Sequence, residues 1–443
     1  GLFARVQLGA TGSGGNIFIS TNRLSVLAGA QISTSTRGFQ RAGSITVRSS
    51  EIEVSGVVVD SENQPILVGG VSAAPSTIST FSADSSTGRA GDLTIFTDRL
   101  TIRDGATIQS STQSIADAGN LRIAASESIE LIGTLGSEQS PTGLLTFSGG
   151  IPNLPFSSNN RNATGRGGRL SITTRAFIVR DGAVVAVGSL NPGFDVAAGD
   201  LRVEADAIRL DRQAALLANT NSGNGGSVNL RVQDAIVLQG ESAISTTAGV
   251  AGRGGNGGDI RIDTDFVLST LPENNDIMAN AFTGNGGNVT IATQGILGIA
   301  PQARPTAESD ITASSEFGSS GEIVITNPTV DPSRGLVELP ANLIDASQIA
   351  QTCPSGATAR QQSEFVVTGR GGLPPSPIDP RSSAAILSTW ATLPDSAQVV
   401  PAAQEPLTAP IVEAQGWMLG ANGEVVLVAA TATADLIAPV GCN

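Results

Sequence analysis

"GGNIFISTNRLSVLAGAQIST", residues 14–34, decides the fold. Two glycines and a polar residue precede an alternating apolar pair, Ile17 and Ile19; a second pair, Leu24 and Val26, follows, and "GAQIST" adds a third short run. Alternation of period two places successive side chains on opposite faces of a strand. Three such strands separated by turns make one coil.

The chain writes this opening ten times: "GGNIFI" at 14, "AGSITV" at 42, "AGDLTI" at 90, "AGNLRI" at 118, "GGRLSI" at 167, "AGDLRV" at 198, "GGSVNL" at 225, "GGDIRI" at 257, "GGNVTI" at 286 and "SGEIVI" at 320. The intervals are 28, 48, 28, 49, 31, 27, 32, 29 and 34 residues, so two of them carry insertions. A second apolar pair recurs in most units, as in Ile52 and Val54, Leu100 and Ile102, or Ile208 and Leu210. One coil cannot bury its apolar face alone and must stack on its neighbours. The expected fold class is therefore all-β, a right-handed parallel β-helix of about ten coils over residues 1–326, with Leu, Ile and Val inward and Thr, Ser, Arg and Asn outward. At about 4.8 Å per strand the rod measures roughly 50 Å. The repeated glycine suits either a turn with positive φ or a close approach of backbones, and the Asn, Asp or Ser after it suits such a turn.

The two insertions fall near 57–88 and 133–166 and must leave the stack as loops. They are the first place to look for a specific surface, with tolerated decoration or packing along the rod as the alternatives. Beyond residue 326 the texture changes: 13 of 22 prolines but only 9 of 53 glycines follow. Residues 327–372 read as a cap and exit segment, with one short helix beginning near Asp345; 373–412 read as a Pro-rich tether. Residues 413–443 end in a small β-hairpin turning at Ala421–Gly423, with Trp417, Val425 and Leu427 as docking candidates for β-augmentation or for self-docking.

Composition narrows the chemistry. The 443 residues contain no His or Tyr, and every one of the 25 basic residues is Arg. Imidazole catalysis, histidine metal sites and lysine Schiff bases are excluded. A net charge of −14 argues against nucleic acid as a partner. No apolar stretch reaches the roughly 20 residues of a membrane helix. Gly1 opens inside a strand pattern, which leads us to expect the later part of a longer precursor.

The Gly-Gly repeat followed by residues 308–377, "ESDITASSEFGSSGEIVITNPTVDPSRG" through "SEFVVTGRGGLPPSP", resembles the C-terminal part of the filamentous-haemagglutinin-like exoproteins common in cyanobacteria. The resemblance implies a secreted passenger of two-partner secretion, exported through an outer-membrane transporter and located extracellularly or on the outer cell surface. The N-terminal secretion domain that such a transporter recognises is not in this sequence. A glycan or other cell-surface ligand and self-association into filaments are the partners such a protein implies. In that oxidising setting Cys353 and Cys442 are candidates for one disulfide, contributing on the order of 4 kcal/mol, with free thiols or intermolecular links as alternatives.

Two chemical readings compete with a non-catalytic surface protein. "RDGA" at 103 and at 180 offers Arg103, Asp104, Arg180 and Asp181 to a polysaccharide-binding or lyase-type site, although "LAGA" fills the same turn at 27. No cofactor is expected, with calcium the one metal to consider. "GGNGGDIRI" at 254–262 resembles a calcium-binding nonapeptide but places Arg261 where a large apolar residue belongs, and Asp263, Asp265, Glu273 and Asp276 form a looser oxygen set.

Overall fold

A computed structural model describes residues 1–60, 66–68, 72–84, 86–133, 142–149, 163–189, 195–250 and 252–326, with the strands 416–419 and 425–428. The chain divides into two compact units, Gly1–Gly335 and Leu336–Asn443. Among the described residues the first unit contains no helix and two long sheets of 11 and 13 strands. Pairing along both stacks is parallel, and the chain passes from one sheet to the other in each coil. This is a parallel β-helix.

The ten repeats are ten rungs of the longer sheet, beginning at Ile17, Ile45, Leu93, Leu121, Leu170, Leu201, Val228, Ile260, Val289 and Ile323. Register keeps the expected positions in line: Ile17 faces Ile45, Ile45 faces Leu93, and the column runs on to Ile323. Inward residues such as Ile95, Ile123, Val203 and Leu230 are fully buried. Each buried side chain of this kind contributes about 1.5–3 kcal/mol, and the core is one continuous column.

The two apolar pairs of each unit were expected on separate strands. In six coils they lie instead on one strand of 11 or 12 residues, such as Ile17–Leu27 and Leu93–Arg103. A hydroxyl at the bend holds the carbonyl two residues on: Thr21 to Arg23 (3.1 Å), Ser49 to Glu51 (2.8 Å), Thr97 to Arg99 (3.0 Å) and Thr293 to Gly295 (3.0 Å). The coil thus has three sides although its backbone breaks into fewer strands.

The shorter sheet corrects the inside-outside assignment. Thr34, Thr36, Thr80, Ser82, Thr112 and Thr146 are fully buried rather than outward. Their hydroxyls span the coil to backbone carbonyls: Thr34 to Gly43 (2.5 Å), Thr80 to Gly91 (2.7 Å), Thr146 to Gly168 (2.8 Å) and Thr246 to Gly258 (2.5 Å). Hydrogen bonding removes most of the penalty of burying a hydroxyl.

The second glycine of each pair settles between the two expected reasons for it. A Cβ on Gly43, Gly91, Gly119, Gly168, Gly199, Gly226, Gly258, Gly287 or Gly321 would overlap the carbonyl oxygen of the corresponding glycine one coil earlier. Close approach, rather than positive φ, is what requires glycine here. The polar residue that follows accepts from the next coil: the Ser44 amide donates to Asn16 Oδ1 (2.8 Å), Asn120 to Asp92 Oδ1 (2.9 Å), and Asn288 to Asp259 Oδ1 (2.8 Å).

The insertions interrupt the coil at its turns. Within 57–88, Val57 bridges Pro75, Leu67–Val68 pairs antiparallel with Ser72–Ala73, and Thr77–Ser82 is an ordinary rung of the shorter sheet. Within 133–166, Gly143–Ser148 is likewise a regular rung. In the second unit Gly416–Leu419 pairs antiparallel with Val425–Val428, placing Trp417 opposite Leu427. The expected helix near Asp345, the tether and the turn at Ala421–Gly423 lie outside the described residues.

Candidate functional site

The "RDGA" residues occupy corners. Asp104 and Gly105 have φ of 57° and 79°, Asp181 and Gly182 59° and 76°, and Ala28 and Gly29 52° and 79°. Two consecutive left-handed residues make a type I′ turn, which Asp tolerates better than most side chains. Arg103 reaches Glu53 at 2.7 Å and pairs with Asp104; Arg180 reaches Glu130 at 3.1 Å and Asp181 at 2.8 Å. Hydrogen bonding to Glu53 raises the Arg103 pKa, and Asp181 does the same for Arg212. Arg103 lies across from Ile132, which lies across from Arg180, so the two sets are two coils apart. The structure does not bring their carboxylates together.

The loose calcium set also disperses. Asp263 ends a rung of the longer sheet and Asp265 lies at its bend. Glu273 Oε2 accepts from the Gly240 amide at 2.6 Å and from Asn275 Nδ2 at 3.2 Å, and Asp276 Oδ1 accepts from the Asp310 amide at 3.1 Å. Burial, with the Asp310 charge added, pushes the Asp276 carboxyl above its ordinary value. No group of three or more acidic or cysteine side chains converges among the described residues. In "GGNGGDIRI", Arg261 is exposed while Ile260 and Ile262 are buried, so that segment is an ordinary rung.

What the fold does assemble is an open trough of ≈ 770 Å³ along the bend of the longer sheet, spanning six coils from Thr173 to Thr326. Glu204, Asp206, Arg231, Asp263, Asp265 and Gln294 line its walls, and Thr174, Thr264 and Thr293 its floor. Glu204 is paired with Arg202 at 2.6 Å and lies 3.9 Å from Arg231. Gln294 Nε2 donates to Asp265 Oδ1 at 2.6 Å. Beyond the trough the same rungs turn a largely apolar face outward, broken by Arg209: Ala176, Ala207, Ala235, Phe266 and Gly295 in one column, and Ile178, Arg209, Val237, Leu268 and Leu297 in the next. Phe266 is 44% exposed and Leu297 68%. Sequence reasoning missed this site because each coil supplies at most three of its residues, about thirty positions apart, and only the register aligns them.

Side chains of the hairpin candidates Trp417, Val425 and Leu427, and both Cys353 and Cys442, lie outside the described residues. No helix among those described is long and apolar enough to cross a membrane, which says nothing of a β-barrel. The fold and trough define a parallel β-helical rod with a lengthwise furrow. The chain matches no protein-family model, no curated protein and no solved structure.

Proposed function

We propose that this is a non-catalytic surface protein of the adhesin kind, secreted by two-partner secretion through an outer-membrane transporter, whose rod binds a partner along one face. The observation that carries this reading is the trough with its apolar flank, a continuous lengthwise surface built from consecutive coils. The best catalytic candidates, by contrast, are committed to corners and to ion pairs with neighbouring coils. Shaving intact source cells with an impermeant protease tests it: the rod should be cleaved or released while cytoplasmic markers stay intact. Retention of the uncut protein inside the cells would sink the proposal.

A second reading, an extracellular filament subunit, is favoured by the two-stranded pair Gly416–Leu419 and Val425–Val428, an apolar element suited to pairing with a strand of a neighbouring protomer. Electron microscopy of the purified protein separates the two: isolated rods support the adhesin, and filaments with a regular axial repeat support the subunit.

A further inference from the structure

The outer face of the longer sheet changes character halfway along the rod. In the first coils the columns past the bend are charged and paired across coils, Arg23 with Glu51 at 2.9 Å and Arg99 with Glu127 at 2.8 Å. From coil five onward the aligned positions are Ala176, Ala207, Ala235, Phe266 and Gly295. Phe266 lies directly over Gly295, where any side chain would press on its ring. A flat aliphatic strip with one phenylalanine therefore faces outward.

The border of that strip is acidic. Asp206, Asp234 and Asp265 lie at the bend of successive coils, each one residue before the strip, with Asp263 on the far wall. Glu204 has arginine partners, but no ion pair among the described residues includes Asp206, Asp234, Asp263 or Asp265. Glu204, Asp206, Asp263 and Asp265 against Arg231 alone leave the trough lining net acidic, which attracts a cation and repels an anion.

We propose that this surface docks an amphipathic polypeptide segment whose apolar row covers the strip from Ala207 to Leu297 and whose adjoining row of Lys or Arg enters the trough. The proposal rests on reading the rod as a binding surface, and it names the partner. Charge decides against a second copy packing the same face, because the carboxylates of both copies would be opposed across a two-fold axis. Chemistry decides against a glycan: ring stacking uses aromatic platforms, and this strip offers only Phe266, its other members being aliphatic save Arg209, which is paired with Asp211 at 3.2 Å. A neutral sugar would also desolvate the carboxylates without offering a counter-charge.

The test uses the whole protein and a labelled helical peptide with Leu at i, i+3, i+4 and i+7 and Lys elsewhere, read by fluorescence anisotropy. A peptide carrying Glu in place of Lys serves as the counterpart. The Lys peptide should bind and the Glu peptide should not. Asp206→Asn with Asp265→Asn should weaken binding about tenfold at low salt and flatten its salt dependence. Phe266→Ser with Leu297→Ser should weaken it about tenfold at every salt concentration. Asp98→Asn with Asp117→Asn removes equal charge from coil three and should leave affinity unchanged; an equal loss there would mean attraction to bulk charge and would overturn the proposal. Binding of both peptides alike, binding of neither, or displacement of the Lys peptide by a neutral oligosaccharide would also overturn it. Cell-surface shaving reads the location independently, so the two readings fail separately.

Discussion

Gly119 and Gly15 hold the same place in the repeat yet meet different surroundings. A Cβ on Gly119 would overlap the Gly91 carbonyl, whereas a Cβ on Gly15 would meet nothing within 4 Å. Neither backbone can retreat without breaking the ladder, so Gly119→Ala should destabilise by about 3 kcal/mol or more. Gly15→Ala should be neutral or stabilising by up to about 1 kcal/mol, through reduced freedom of the unfolded chain. Urea unfolding of the two variants checks the contrast, and similar midpoints would reject the stacking explanation. Two carboxyls give opposite pH slopes. Asp276 is raised by burial and by Asp310, so between its ordinary and its raised value the native state holds more protons, and stability falls as pH rises. Asp276→Asn should remove that loss and raise the urea midpoint at neutral pH. At Asp200 burial pushes upward, but the Ser227 hydroxyl and Arg169 together leave the carboxyl below its ordinary value. Its stabilisation is present above that value and is lost as pH falls through the depressed one. Asp200→Asn should therefore lower the midpoint near neutral pH and lose its effect in acid.

At the scale of one element, the rung Ile45–Ser55 shows how an insertion leaves a solenoid undisturbed. The chain departs after Gly56 and returns at Ser76, whose amide donates to the Gly56 carbonyl at 2.8 Å, and the Val58 amide donates to the Ala74 carbonyl at 2.9 Å. Departure and return are adjacent, so replacing residues 59–73 by a short Gly-Ser link should shift stability by no more than about 1 kcal/mol. Thermal unfolding of the shortened protein checks this, and a collapse of the transition would make the insertion part of the fold. The rungs themselves were legible, because a period of two with Gly-Gly punctuation needs only local reading. The buried hydroxyls were not: Thr34 reads as polar, and its partner, the Gly43 carbonyl, belongs to a turn that only the closed coil brings near. The trough was hidden for the same reason, since Asp206 and Asp265 are 59 positions apart in the chain and two coils apart in space.

Across the whole rod, each coil touches only its neighbours, so stability is close to a sum of coil terms and interface terms. A central coil such as the one opening at Leu121 has an interface on both sides, with Leu93 before it and Leu170 after it. The coil opening at Ile17 has only the following one among the described residues. Opening from an end breaks one interface, while opening in the middle breaks two, which sets a gradient of protection along the axis. Native-state hydrogen exchange should therefore show the slowest amides at Ile95, Ile123 and Val203 and faster exchange at Ile19 and Ile325. A substitution that weakens the middle separates this from a single cooperative core. Ile123→Ala should cost about 2–5 kcal/mol locally and accelerate exchange most in the coils on either side, leaving the distant rungs at Ile45 and Val289 nearly unchanged. Equal acceleration at every rung would mean that the rod unfolds as one unit, and a nearest-neighbour description would then fail for this molecule.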